Sequence, residues 1–191
     1  MNNIDHLNRE SRLSSDEPRE LDPFNPHRSL SSDTTADSDD VCDVLDDLIE
    51  ITRDGEEGFS HAAQYVTDRA LRDEFNQFSR ERAQIVSELQ RMQRNYGKRD
   101  VDYSGSVMGA FHRAWMDIRS VVTKREDQAI LDEAERGEDA AVESYQKALT
   151  HEPPLPASVH STIQALANKI QRAHDRVRSL RDSGRYQAKV S

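Results

Sequence analysis

The chain reads as an all-α protein built from four long helices, and three observations predict this. Its six prolines fall at 18, 23, 26, 153, 154 and 156, so residues 27–152 contain none at all and nothing there interrupts a helix. Apolar residues recur three and four apart over stretches of more than twenty residues, the spacing of an amphipathic helix. Val, Ile and Thr never form the alternating runs that a strand requires.

Each element has its own start and stop. Asp40 can cap a first helix over about 41–66, and Thr67 or Asp68 can start a second over about 69–96, because a short acceptor side chain satisfies the first free N–H groups. Thr123 and Glu126 form a capping-box pair for a third helix over about 124–150. Ser158 can cap a fourth that runs to Asp182 and is closed by Gly184. The connection between helices two and three is too long for a hairpin. Val107, Phe111, Ala114, Trp115, Ile118, Val121 and Val122 follow helical spacing within it, which predicts a short extra helix in the crossover. Two short-loop hairpins joined by one long crossover is the ferritin-like arrangement of a four-helix bundle.

Charge divides unevenly along the chain. Of the net −10, residues 1–40 carry −6, from ten Asp/Glu against four Arg. With its serines and prolines this segment has too little apolar area to offset chain ordering, and it reads as a disordered acidic tail. The domain expectation is therefore a tail over 1–40, a bundle over 41–183 and a flexible C-terminus over 184–191. The single cysteine, Cys42, excludes an internal disulfide framework. The chain has no membrane-spanning apolar run and no secretory signal at its start, so a cytoplasmic location is expected. Residues 169–191 hold seven Lys/Arg against Asp175 and Asp182, but cations at a helix C-terminus favour the helix dipole, and a nucleic-acid partner is not expected.

The candidate site comes from placing the helices on a wheel. Glu56 falls inside the apolar stripe of helix one, and Glu138 near the centre of the stripe of helix three, between Leu131 and Tyr145. Glu81 lies at the edge of the stripe of helix two and His174 at that of helix four. An isolated buried carboxylate is costly and calls for a cation. Glu56 and Glu81 are each about 12 residues from the first turn, roughly 18–19 Å at 1.5 Å per residue, so they lie level. Gly55-Glu56-Glu57 is echoed by Gly137-Glu138-Asp139, and Glu81-Arg82-Ala83-Gln84 by Gln171-Arg172-Ala173-His174, which suggests a duplicated hairpin.

A dimetal carboxylate bundle uses one Glu from each of two helices and a Glu-x-x-His from each of the others. Glu56 and Glu138 match the single glutamates; Glu81-x-x-Gln84 lacks the imidazole and Gln171-x-x-His174 lacks the carboxylate. The expected ligands are thus Glu56, Glu81, Glu138 and His174, with Gln84 and Gln171 as weaker ones. Such a set suits iron, manganese or zinc, and an open position would permit oxygen or peroxide chemistry. Leu48 to Gly55, Glu81 to Gln84, Ser104 to Val107, His112 to Asp117, Glu135 to Asp139 and Ala173 to Arg176 together resemble a bacterial family of ferritin-like four-helix-bundle proteins of unassigned function. The resemblance covers about residues 41–183 and implies a fold, without supplying a reaction.

Two functions follow as expectations. One is a metal-binding bundle. The other is a non-enzymatic structural or stress-related interaction bundle that has lost the metal site, its buried carboxylates satisfied by Arg82, Gln84 or Gln171. No glycine-rich phosphate loop or nucleophile elbow is present to suggest other catalysis. For the crossover helix, with Phe111 and Trp115 on one face, two roles stay open: pairing with its copy in a homodimer, or covering the open side of its own bundle.

Overall fold

A computed structural model provides the structure, and the residues described are 35–97 and 127–187. Among the described residues there are four α-helices and no strands: α1 (Ser38–Tyr65), α2 (Arg69–Asn95), α3 (Asp127–Leu149) and α4 (Ala157–Asp182). Most of the expected acidic tail, the expected crossover helix with Phe111 and Trp115, and the Thr123–Glu126 capping pair lie outside the described residues.

Local chemistry sets the ends. The first helix starts three residues earlier than expected, because Asp37 rather than Asp40 is its cap. The Asp37 side chain accepts from the backbone N–H groups of Asp39 and Asp40 at 2.9 Å, and Asp40 reaches back to the Asp37 N–H, forming a capping box with Asp as both partners. Asp68 caps α2 by accepting from Leu71 N–H. Ser158, expected as the cap of α4, lies inside that helix. Pro156 holds the cap position with no side-chain bond, consistent with an extended proline leading into a helix. Beyond α4, Gly184 has φ 68, a left-handed conformation that costs glycine little.

Helix α1 packs against both α2 and α3, α3 packs against α4, and α2 touches α4 only lightly, while the pairs α1/α4 and α2/α3 approach least closely. The pairs α1/α4 and α2/α3 therefore lie on the diagonals. Asp127, the first residue of α3, is buried, and its carboxylate accepts from Thr67 N–H at 2.7 Å, Thr67 Oγ1–H at 3.0 Å and Asp68 N–H at 2.9 Å. That clasp fixes the start of α3 beside the α1–α2 turn. At the opposite end Cys42 lies against the Tyr96 carbonyl.

The core divides into two apolar clusters. One gathers Leu45, Leu48 and Ile49 of α1 with Leu89, Ile163, Leu166 and Ile170. The other gathers Phe59 and Ala63 with Leu71, Phe75, Phe78, Leu131 and Val177. Each fully buried Leu or Phe stabilises by about 1.5–3 kcal/mol over an exposed one. Polar side chains from all four helices lie between the clusters. None of the described helices is long and apolar enough to cross a membrane.

Candidate functional site

The polar layer is organised by Arg82 and Glu138, which are each 2% exposed. Arg82 reaches the core because α2 repeats its inward positions at 71, 75, 78, 82, 85 and 89, alternating steps of four and three. Five of these positions are apolar and the other is an arginine. Arg82 Nη2 donates to Glu138 Oε1 at 2.6 Å and to Oε2 at 2.5 Å. Burial pushes the Glu138 carboxyl above its usual range, and the charges of Arg82 and then His174 oppose that rise.

Small residues and rings complete the enclosure. Gly55 of α1 sits over the guanidinium, where an added Cβ would lie 3.5 Å from Arg82 Nε. The Phe59 ring centroid is 5.9 Å from Arg82 Cζ, close enough for a cation–π contribution. Arg82 Nη1 is buried with no hydrogen-bond partner among the described residues. Beside the pair, Thr52 Oγ1 donates to the Leu48 carbonyl at 2.6 Å and lies 2.9 Å from Tyr145 Oη. Desolvation pushes the Tyr145 phenol up to about 12, so it stays neutral and remains a hydrogen-bonding group.

The other expected ligands are dispersed. His174 is buried, but its ring nitrogens have partners: Nε2 lies 2.8 Å from Asp139 Oδ1, and Nδ1 lies 3.1 Å from Asp175 Oδ1 and 3.3 Å from Gln171 Nε2. Glu56 is half-buried. Burial raises its carboxyl above the usual range, and the two neighbouring charges that act on it, Arg53 and Glu57, are on its own helix. Glu81 accepts from Gln77 Nε2 at 2.8 Å along the outside of α2, and Gln84 is exposed. Gln171 is occupied with His174 and Asp175. The structure brings Glu138 and His174 near each other and leaves Glu56 and Glu81 apart from them. Among the described residues no group of three or more His, Cys, Asp or Glu side chains could hold a metal ion. A dimetal ligand set does not fit this donor arrangement, because a guanidinium already holds both oxygens of its central carboxylate.

The echo between the hairpins is not kept in burial. Arg82 is buried and its counterpart Arg172 exposed; Gln84 is exposed and its counterpart His174 buried. Sequence reasoning also passed over two buried acids. Asp127 forms the clasp described above, and Glu135, 6% exposed, is paired with Arg181 and, at 3.8 Å, with Arg178.

Glu138 also lines the floor of a groove between α1 and α3. This cavity of about 320 Å³ is walled by Gly55, Phe59, Ala62, Ile130 and Gly137. A second cavity of about 430 Å³ continues it through Ile51 and Asp54 toward Asp43, Asp47 and Glu50 on one wall and Lys147 and His151 on the other.

Residues 40–151 match the model of a family described as a domain of unknown function (DUF2383). The chain belongs to this family. The match takes in α1, α2 and α3 and ends before α4, so Arg82 and Glu138 fall within the DUF2383 region and His174 beyond it. No curated protein matches the chain.

Proposed function

We propose that the chain is a non-enzymatic structural or interaction bundle of ferritin-like descent, in which a guanidinium supplies the buried positive charge that a metal ion would otherwise supply. The observation that carries this reading is the contact of Arg82 Nη2 with both oxygens of Glu138. A carboxylate so engaged has its desolvation offset and its lone pairs directed at an organic cation. The neighbour order of the helices, two hairpins with α1 beside α3 and a crossover between α2 and α3, supports the ferritin-like relationship. A cytoplasmic location accords with the same reading.

Metal analysis of protein purified without chelators tests it. Wild type, Glu56→Ala and Glu138→Ala should carry equal and negligible iron, manganese and zinc. Stoichiometric metal in wild type that disappears in either variant would overturn the proposal in favour of a metal-binding bundle.

A further inference from the structure

The two cavities between α1 and α3 form one long groove with two chemically different halves. They share Ile51 and Asp54, and their α1 wall runs from Asp43 to Ala62, roughly 28 Å at 1.5 Å per residue. Asp43, Asp47, Glu50 and Asp54 stand on that wall in the larger cavity, spaced four, three and four, so a carboxylate recurs at each helical turn. None of the four takes part in a hydrogen bond or ion pair among the described residues. Arg53, the one Lys or Arg of α1, lines neither cavity, and Lys147 and His151 stand on the α3 side. Burial first, and neighbouring carboxylates after it, raise both Glu50 and Asp54, which marks a wall short of positive charge.

Beyond Asp54 the charges are already balanced. Glu138 lies in the floor of the smaller cavity with Arg82 behind it, and Glu133 is paired with Arg136 at the rim. The remaining walls are Phe59, Ala62, Ile130 and Ala134, together with glycines that withhold side chains. Nothing lies within 4 Å of where a Cβ at Gly137 would be. This half can seat an apolar side chain, as the anchor pocket of an interface does.

The two halves together define an occupant. It is apolar at one end and carries a row of cations at the other, turned toward α1 because Lys147 repels them from the α3 side. A single metal ion does not answer to this, since a row about 16 Å long does not converge on one centre, and no group of three ligands is present among the described residues. A second copy laid groove to groove would bring two acidic walls together. A helix from another protein does answer to it. Lys or Arg at each turn matches the carboxylate spacing, and small residues on both walls let its backbone approach.

We propose that the groove between α1 and α3 binds a basic amphipathic helix of a partner protein, its cations against Asp43, Asp47, Glu50 and Asp54 and an apolar residue against Phe59 and Ile130. Such a partner rests on the reading of the chain as an interaction bundle, which metal content tests separately. Failed binding by metal-free protein would therefore reject the partner alone. The probe is a fluorescein-labelled synthetic helix with Leu at one end and Lys at each following turn, titrated with the full-length protein and followed by anisotropy. Saturable one-to-one binding is expected at low salt, with a strong loss of affinity at high salt. Asp47→Asn/Asp54→Asn should weaken it about tenfold with helicity retained, and Ala134→Arg, which fills the apolar half, should do the same. Exchanging Leu for Ser in the probe should also weaken binding and requires no change in the protein. Asp16→Asn/Glu17→Gln/Glu20→Gln, which neutralises acid in the N-terminal segment, should leave affinity unchanged.

No saturable binding by the wild type would overturn the proposal. So would binding that responds to the N-terminal variant and ignores both groove variants. Displacement of the probe by spermine as readily as by unlabelled helix would reduce the groove to a general trap for polycations, which also overturns it. A wild-type dimer by light scattering that dissociates in Asp47→Asn/Asp54→Asn would assign the groove to a second copy instead.

Discussion

Arg82 and Glu138, 56 positions apart in sequence, meet in the middle of the bundle through one guanidinium nitrogen that touches both carboxylate oxygens. Both side chains are almost wholly removed from water, so each is the other's principal compensation for lost hydration. Breaking such a pair from one side leaves a buried charge alone, at a cost of about 3–5 kcal/mol. Removing both sides together is often neutral or stabilising. Arg82→Met and Glu138→Gln should each lower the urea unfolding midpoint by an amount equivalent to about 3–5 kcal/mol. Arg82→Met/Glu138→Leu should recover most of that loss, and a double-mutant cycle by urea denaturation measures the coupling. Additive losses in the cycle would mean that the pair does not act as a unit.

Asp127 offers a separate test of how the two hairpins are joined. Asp127→Ala removes acceptors from two backbone N–H groups and the Thr67 hydroxyl. Hydrogen bonds to a charged acceptor contribute about 1.5–3 kcal/mol each, and a buried donor left unpaired costs about 1–3 kcal/mol. A loss of about 2–3 kcal/mol is expected for the variant, since solvent can reach part of this site. Amide exchange should accelerate at Thr67 and Asp68 before it does so in the middle of α1. Unchanged protection at those two amides would count against the clasp.

The outer face of α1 should make stability depend on pH. Asp54 is pushed up to about 6, first by burial and then by Glu50 and Glu57, and burial also raises Glu50. A carboxyl whose folded pKa lies above its unfolded value binds its proton more tightly when folded, so it destabilises the fold at high pH. The penalty is relieved as pH falls from above 6 toward the ordinary Asp value. Asp54→Asn should therefore raise Tm at pH 8, and the advantage over wild type should shrink through pH 6 and vanish near pH 4. An equal gain at both extremes would place the effect in packing rather than in charge.

Much of this architecture can be read from the chain itself. The start of α2 follows from Asp68 and the end of α4 from Gly184, and Glu138 stands out between Leu131 and Tyr145 as a charge on a core face. Arg82 was also legible: the spacing from Phe75 through Phe78 to Ile85 and Leu89 passes through it. Its neighbour Glu81 carries the carboxylate expected of a metal ligand, yet it lies one position out of phase and accepts from Gln77 on the surface. What periodicity cannot supply is the partner. Helical phase says that Glu138 faces inward, whereas the identity of the cation it meets depends on how two hairpins dock. Asp127 illustrates the same limit, since its donors are about sixty residues away and no local pattern joins them.

The polar layer separates two apolar clusters that are chemically similar. Two greasy ends alone would tolerate one hairpin sliding past the other by a helical turn, about 5.4 Å, with Leu and Ile exchanging for one another at modest cost. With Arg82 and Glu138 between them, that slip would set a guanidinium against aliphatic side chains and leave a carboxylate uncompensated several residues away. The pair thus serves as a key that fits one alignment, and a chain carrying both substitutions would be expected to keep its stability while losing the uniqueness of its packing.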